Sequence, residues 1–238
     1  MEMDPMKILA LDAATSACSA ALMKDGKVIA RRLEVMNRGQ AEALMPLVME
    51  VMSGNDFAGL DLLAVTTGPG AFTGLRIGLA AARGLAVASG LPCLGITTLE
   101  AVAEAVPATE REGKRVMVAI ATKRADLYLQ LFSHDLRPLG DPEVLPPQDL
   151  GAFMMRADRN GPSLLVTGDG AVDAIAALTE AGLEAAATTA PGYPDAACVA
   201  AIAARRWHPG DRIGHPLPLY LRPPEASVPQ NGGRRRTQ

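Results

Sequence analysis

A glycine-rich stretch, Thr66 to Gly90 (TTGPGAFTGLRIGLAAARGLAVASG), has the residue types of a loop that could hold a phosphate at the start of a helix. Backbone amides at a helix N-terminus attract anions. Two common nucleotide motifs are nevertheless incomplete here. A Walker A loop needs Lys and then Ser or Thr after its last glycine, whereas Gly74 is followed by Leu75 and Arg76. The dinucleotide motif G-x-G-x-x-G has Thr73 in place of its third glycine.

Two interpretations of this glycine loop therefore stay open. Gly68, Gly70 and Thr73 could form the remnant of an anion or nucleotide site. Alternatively, the small residues serve close packing, because a glycine inside a helix costs about 1 kcal/mol relative to alanine. Gly78 and Gly84 both fall inside the expected helix, so another backbone should approach it closely, either from the protein itself or from a partner. Close packing is the favoured interpretation.

A second candidate lies in the N-terminal string LALDAATSACSAAL, where an Asp ends a strand and a Thr/Ser turn leads into the next strand. Actin-like and sugar-kinase folds present phosphate loops in this way. Such loops generally use glycine, so that backbone amides can reach the phosphate, but Ala13 and Ala14 stand here. Asp12, Thr15 and Ser16 could bind a metal or a phosphate, or Asp12 could simply stabilise the turn.

The histidines argue against a metal hydrolase. His134, His208 and His215 are isolated in the second half of the chain, and neither H-x-x-x-H nor H-E-x-x-H occurs. Zinc and iron hydrolases need convergent ligands, commonly two His one helical turn apart. A G-x-S-x-G nucleophile elbow is also absent from the sequence. We therefore predict no metal site and no catalytic residues in this chain.

The charge balance and the cysteines indicate a cytoplasmic protein that does not hold nucleic acid by itself. With 23 Lys and Arg against 26 Asp and Glu, the net charge is −3, whereas a chain that binds tRNA alone usually carries a basic patch. Its basic run, Arg234 to Arg236, lies in a Gly/Pro/Gln-rich tail that we expect to be disordered.

Cys18, Cys93 and Cys198 are widely spaced, which favours a reducing compartment. Because the N-terminal string KILAL is followed at once by Asp12, we expect neither a signal peptide nor a membrane span.

The elements that must position these candidates alternate between strands and helices, which predicts an α/β fold with parallel crossovers. A polar stretch at 107–113 suggests a lobe boundary. The expected strands are KILAL, ACSAALM, KVIARRLEV, LDLLAVTT, LPCLGIT, RVMVAIA, DLYLQLF and SLLVTG. The expected helices are 40–53 (with Pro46 as a kink or a later start), 75–89 closed by Gly90, one capped by Thr98, 149–156, 171–181 and 195–206. PLPLYLRPPEAS should be extended because of its prolines.

The helix predicted over 40–53 is apolar beyond a single stripe, since Met45, Met49 and Met52 fall off its Leu/Val face. A helix that is apolar around most of its circumference must be covered on more than one side. Together with the small-residue helix that follows the glycine loop, it could form a surface for another pair of helices, or both helices could be buried within one lobe. Composition does not decide between these alternatives.

Four strings resemble the bacterial TsaB (YeaZ) family in wording and in order: MKILALDAATSACSAAL, GPGAFTGLRIGLAAARGLA, GITTLEAVA and PLYLRPPEA. The resemblance spans 6–227. It implies an actin-like, ribonuclease-H-like (ASKHA) α/β fold of two lobes, each with a mixed sheet flanked by helices. The N-terminal lobe would be 1–106 and the C-terminal lobe 107–227, with helix 195–206 able to pack back on the first lobe, followed by a disordered tail at 228–238.

The resemblance also implies a function. The family acts in making N6-threonylcarbamoyladenosine at position 37 of ANN-decoding tRNAs, as a non-catalytic, degenerate paralogue of the catalytic subunit TsaD. The chain would bind TsaD through its N-terminal lobe, and the ATPase TsaE would join the complex. This chain would contact tRNA only indirectly. ATP, Mg²⁺ and the metal of TsaD would serve the complex, with no cofactor held by this chain. A homodimer in isolation, a stand-alone ATP-dependent kinase and, less favoured, a metallopeptidase remain alternatives.

By the resemblance, 40–52 and 71–88 form the interface with TsaD. The expected interface residues are Ala41, Leu44, Met45, Val48, Met52, Phe72, Leu75, Gly78, Ala81, Ala82 and Leu85. Two positions depart from many relatives: Gln40 stands in place of a His, and Ala121 in place of an Asp. The second departure weakens the expectation of a residual site between the lobes.

Overall fold

The structure is a computed structural model that describes residues 6–157, 161 and 163–222. The tail at 228–238, for which the sequence predicts disorder, and its basic run lie outside these residues.

The first lobe is built on a five-stranded mixed sheet. Its elements are β1 (Lys7–Asp12), β2 (Ala17–Lys24), β3 (Lys27–Val35), α1 (Gln40–Val51), β4 (Leu62–Thr66), α2 (Phe72–Ser89), β5 (Cys93–Ile96) and α3 (Thr98–Glu104). The strand order is β3-β2-β1-β4-β5, with antiparallel pairs on the β2 side of β1 and parallel pairs on the β4 side. Alternate residues of β1 face opposite sides, so Leu9 and Leu11 enter the core beneath α1 and α2.

The second lobe repeats this topology. Its elements are α4 (Ala108–Arg111), β6 (Arg115–Ala121), β7 (Leu127–Phe132), β8 (Glu143–Leu145), α5 (Leu150–Ala157), β9 (Leu164–Thr167), α6 (Ala171–Glu180), β10 (Ala185–Ala187) and α7 (Ala196–Arg206). Read from its other edge, the sheet order is β8-β7-β6-β9-β10, with the same pattern of antiparallel and parallel pairs. The predicted two-lobed, actin-like α/β fold is confirmed by this arrangement.

The last helix of each lobe packs on the sheet of the other lobe. Leu99 and Val102 of α3 lie in a buried cluster with Val116 and Val118 of β6. In return, α7 fills the second face of the first sheet, where its alanines and Val199 pack on β1 and β4. The exchange places the N-termini of both helices beside the carboxyl ends of β4 and β1. Thr98 N donates to Gly68 O, shortly after β4, and Ala196 N donates to Ser19 Oγ, whose residue is paired with Asp12 at the end of β1.

Most predicted elements are present, with shifts at their ends. Helix α1 runs through Pro46, and α2 begins at Phe72, three residues before the predicted start. The cap of α3 is Thr97, not Thr98: Thr97 and Glu100 form a reciprocal capping box. The edge strands β8 and β10 were not predicted, because each has only three residues. Prolines surround β8, and alanines surround β10. Within the described ranges, no helix combines the length and apolar character that a bilayer crossing requires.

Candidate functional site

The space against the glycine loop is filled by the backbone of the turn between β1 and β2, residues 13–16. A Cβ added to Gly70 would lie 2.3 Å from the Ala14 carbonyl oxygen, and one added to Gly74 would lie 2.0 Å from the Ala13 carbonyl oxygen. Ala71 N, at the start of α2, donates a hydrogen bond of 2.7 Å to Ala14 O. The amide that could have met an anion is therefore used internally, which supports close packing at Gly70 and Gly74.

Gly68 is held between two other segments. It has a positive φ of 110°, and its carbonyl accepts a 2.8 Å hydrogen bond from Thr98 N. A Cβ at this position would lie 2.9 Å from the Leu219 carbonyl oxygen, so the C-terminal segment also depends on this glycine. Thr73, the remaining candidate of this loop, is exposed on the first turn of α2.

Asp12 ends β1 and is fully buried. Its Oδ1 accepts hydrogen bonds from Thr66 Oγ1 at 2.6 Å and from Ala14 N at 3.1 Å, whereas Oδ2 has no partner among the described residues. Burial raises the pKa of Asp12 to about 7; the nearby negative charge of Asp195 adds to this, and the hydrogen bond from Thr66 opposes it. Asp12 thus fastens β1 to β4 and to the turn.

Thr15 and Ser16 complete the turn through backbone contacts. Thr15 O accepts a 3.2 Å hydrogen bond from Gln40 Nε2, and Ser16 O accepts one of 2.9 Å from Met36 N. The Thr15 hydroxyl is buried and has no partner within the described part of the chain. Gln40 therefore ties the start of α1 to the same turn that α2 contacts.

The second lobe has one carboxyl group at the corresponding strand ends that the sequence reasoning missed. Asp169 follows β9, and its Oδ1 accepts a 2.8 Å hydrogen bond from Ala121 N. Burial raises the pKa of Asp169, while backbone hydrogen bonds oppose the shift. In the described residues, no group of three or more His, Cys, Asp or Glu side chains could hold a metal ion.

A cavity of about 400 Å³ lies where the two lobes meet, and residues of α3 and α7 line it. Its wall contains two ion pairs, Glu104 with Arg205 at 2.7 Å and Glu100 with Arg206. Burial alone would raise the pKa of Glu100, but hydrogen bonds from Arg206 and Thr97 lower it. These charges satisfy one another and join the exchanged helices, so the pairs have a structural role.

The predicted interface residues divide into two groups. Six of them are buried within their own lobe, and their role in a contact with a partner stays a prediction: Leu44, Val48, Met52, Leu75, Gly78 and Ala82. The side chains of Leu44, Val48, Met52 and Ala82 lie in one buried cluster with residues of β1, β2 and β4, because these faces of the helices cover the first sheet. The others are exposed or half-buried and remain available: Ala41, Met45, Phe72, Ala81 and Leu85.

The small residues of α2 also serve two purposes. Gly78 was expected to leave room for another helix, but a Cβ there would meet Ala13 and Val65 of its own lobe at 3.7–3.8 Å. Gly84 differs, because an added Cβ would have no described atom outside its own helix within 4 Å. The free face of the helix pair therefore contains Gly84 and exposed apolar side chains, of which Met49 is 58% and Val87 77% exposed.

The comparisons with known proteins give matches over nearly the whole chain and matches over about half of it. An uncharacterized protein of Mycobacterium tuberculosis is 32% identical over 223 residues, which cover 92% of this chain and 93% of that protein. The Escherichia coli "tRNA threonylcarbamoyladenosine biosynthesis protein TsaB" is 38% identical over 133 residues. That match covers 55% of this chain and 56% of the E. coli protein, so it spans little more than half the length of that relative.

Two further comparisons concern structure and a related family. A crystal structure titled "YeaZ from Pseudomonas aeruginosa" superposes with a TM-score of 0.73 at 28% identity, covering 91% of this chain and all of that one. A second structure from the same organism, titled an uncharacterized protein with similarity to peptidase YEAZ, gives a TM-score of 0.76 at 29% identity, with the same coverage. The family model described as TsaD, tRNA N6-adenosine threonylcarbamoyltransferase, matches residues 33–143.

Proposed function

This chain belongs to the TsaB (YeaZ) family, and from that premise we propose that it is a non-catalytic subunit in the biosynthesis of threonylcarbamoyladenosine in tRNA. Its task is to bind and support the catalytic TsaD subunit, which transfers the threonylcarbamoyl group to N6 of adenosine 37 in ANN-decoding tRNAs. TsaE completes the complex, and the tRNA is reached through the complex and not through this chain alone. ATP and Mg²⁺ serve the complex.

One observation carries the proposal: the free face of α1 and α2 exposes large apolar side chains. Met45 is 38%, Met49 58% and Phe72 55% exposed, although the opposite faces of both helices are buried on the sheet. Exposed apolar side chains that cluster on one face mark a surface for protein association. Methionines adapt to irregular partner surfaces, which suits a docking face.

The nature of the partner follows from the TsaD family match. Residues 33–143 include both α1 and α2, so a TsaD protein contains elements related to this helix pair. Related surfaces can pair about a two-fold axis, with each helix pair meeting its counterpart. A helix pair docked on a helix pair would cover the exposed methionines on both sides.

The residues at the strand ends favour a non-catalytic role for this chain. The carbonyl groups of Ala13 and Ala14 occupy the space against Gly70 and Gly74, where a phosphate loop needs free amides. Asp12 is fully buried beneath this turn, and Ala121 leaves the end of β6 without a carboxyl group at that position. The chemistry of the complex is accordingly assigned to TsaD.

Co-purification with TsaD from the same organism tests the proposal, with the mass of the complex measured by light scattering. We expect one complex for the wild type, and its loss in Met49→Glu, because a carboxylate would be buried in an apolar contact. Met155→Glu is the matched control, since Met155 is 56% exposed and lies on α5 of the other lobe. Separate elution of the wild-type chain and TsaD would overturn the proposal, and the mass of the chain alone would show whether it forms a homodimer.

A further inference from the structure

We propose that Phe72, Arg76 and Tyr220 form the energetic centre of the TsaD-binding surface, and that the second lobe holds Tyr220 in place through an ion pair. The inference rests on the proposed function, because TsaD is the occupant of this surface. It adds to that function a segment far from α1 and α2 in the sequence, here named the strap: residues 216–222.

The three side chains form one stack on the first turns of α2. The guanidinium carbon of Arg76 lies 3.8 Å from the centroid of the Phe72 ring, and the Tyr220 ring lies 5.8 Å from the same centroid. Arg76 Nε also donates a 3.4 Å hydrogen bond to the Tyr220 hydroxyl oxygen. Each contact fixes a side chain that would otherwise be free to rotate, so less entropy is lost when a partner binds.

The exposure of these rings is unusual for this chain. Aromatic residues make up only 3% of the sequence, and most of them are buried or half-buried. Among the described residues, Phe72 at 55% and Tyr220 at 45% are the two exposed aromatic side chains, and they touch each other. Tyr and Arg are enriched among the residues that dominate binding energy at interfaces. An exposed Phe–Arg–Tyr stack therefore matches the composition of a binding centre.

The strap runs along α2 and the ends of β4 and β5, and it is fastened at several points. Leu219 N donates a 2.8 Å hydrogen bond to Thr67 O, and Arg83 Nε donates one of 3.1 Å to Pro216 O. A Cβ at Gly95 would lie 3.1 Å from Pro216 Cβ, so the glycine allows the strap to approach β5. These contacts give the strap a defined path across the first lobe.

The far end of the strap is held by the second lobe. Arg222 forms an ion pair with Asp126, which lies in the loop between β6 and β7. The two side chains are only 30% and 22% exposed, so solvent screens the pair less than it screens a surface pair. Asp126 is itself positioned by its carbonyl oxygen, which accepts a 2.8 Å hydrogen bond from Thr122 N. Asp126 is thus a positioning residue, which acts on the proposed interface through Arg222.

The stack continues the docking face at one end of the lobe. Helices α1 and α2 both begin at the turn between β1 and β2, since Gln40 Nε2 donates to Thr15 O and Ala71 N to Ala14 O. Phe72, on the first turn of α2, stands at that shared end. A TsaD partner that covers the exposed methionines therefore meets the stack as well, and Arg76 can offer its remaining N–H groups to a carboxylate or carbonyl of the partner.

The dissociation constant for TsaD of the same organism, measured by calorimetry, tests the inference. Tyr220→Ala should weaken binding by at least about tenfold, as expected for a residue that contributes a large share of the binding energy. Asp126→Arg should also weaken binding, and so should Arg222→Asp, while the double exchange should restore it by re-forming the pair with reversed charges. Asp135→Arg is the control, because the Asp135–Arg137 pair is an exposed pair of the same lobe.

The outcomes separate this inference from the proposed function. If the wild-type chain does not bind TsaD, the proposed function fails. If the wild type binds, Met49→Glu abolishes binding, and Tyr220→Ala and Asp126→Arg bind like the wild type, the strap inference alone is overturned. Hydrogen exchange of the unmutated chain gives an independent readout: the amide of Leu219 should become more protected when TsaD is added, and unchanged protection would contradict the inference.

Discussion

Gly74 of α2 lies against Ala13, in the turn between β1 and β2, so closely that an added Cβ would stand 2.0 Å from the Ala13 carbonyl oxygen. This distance is well inside van der Waals contact, and the obstacle is backbone, which cannot rotate away. The relationship explains why the loop looks like a phosphate loop in sequence. Its glycines allow a helix to approach a turn of the same lobe.

We therefore expect Gly74→Ala to destabilise the protein by about 1–3 kcal/mol or more, the usual cost of overpacking a filled site. Gly84→Ala is the matched control within the same helix, because an added Cβ there meets open space. It should instead stabilise by up to about 1 kcal/mol, the helix-propensity gain of Ala over Gly. Urea unfolding followed by the fluorescence of the single Trp207 measures both values, and equal effects would contradict the packing argument.

The start of α3 allows a second pair of substitutions. Thr97→Ala should cost about 1 kcal/mol, because it removes the hydroxyl that accepts from Glu100 N at 3.1 Å. Thr98→Val should be neutral or stabilising, since the Thr98 hydroxyl is buried without a partner in the described residues. Thermal unfolding of both variants distinguishes the two threonines. A larger loss for Thr98→Val than for Thr97→Ala would contradict the observed cap.

Sequence patterns predicted the elements that carry strong local signals. The alternation of strands and helices gave the α/β fold, and Gly90, which has a positive φ of 69°, ends α2 as predicted. Local signals could not separate Thr97 from Thr98 as a cap, because both have the required hydroxyl. Strands of three residues, such as β8 and β10, carry too few positions for a pattern and form because a longer strand is beside them.

At the candidate site, sequence patterns could not predict which side chains are covered and which segments meet. Leu44 and Met45 are adjacent in sequence and equally apolar, yet one is buried on the sheet and the other is 38% exposed. Sequence alone predicted an apolar helix without deciding which side is covered. The contact of Tyr220 with Phe72 joins positions 148 residues apart, which no local pattern could reveal. Such contacts are decided by the path of the chain across the lobe.

Leu44 and Met49 should consequently respond in opposite ways to substitution. Leu44→Ala removes a side chain that is 1% exposed and should cost about 2–5 kcal/mol. Met49→Ala, at a side chain that is 58% exposed, should change the free energy of unfolding by less than about 0.5 kcal/mol. Chemical denaturation of the isolated chain measures both. A comparable loss in the two variants would mean that Met49 is covered within the chain.

Mg·ATP should give no saturable heat when titrated into the isolated chain. The Ala71 amide at the start of α2 is occupied, since it donates to Ala14 O, and the same carbonyl fills the space over Gly70 where a phosphate would lie. The same titration into the complex with TsaD and TsaE is the positive control. Saturable binding of Mg·ATP by the chain alone, at micromolar concentration, would favour the alternative of an independent kinase.

The buried carboxyl of Asp12 should make the stability of the protein depend on pH. Its pKa is about 7 in the folded protein, against 3.8 in the unfolded chain, so between these values the folded protein retains a proton that the unfolded chain has released. Stability contributed by this proton is fully present below pH 3.8 and is lost as the pH rises towards 7.

Asp12→Asn removes this titration while keeping an oxygen that can accept from Thr66 Oγ1 and Ala14 N. The variant should therefore gain stability relative to the wild type as the pH is raised from about 4 to about 8, because the wild type must then bury a charge. Urea unfolding of both proteins across this range gives the difference directly, and the contributions of all other groups cancel. A difference that stays constant would show that folding does not raise the pKa of Asp12. A difference that falls with rising pH would show that the Asp12 carboxylate is stabilised in the folded protein, and the unpartnered Oδ2 would then need a cation or a donor that faces it.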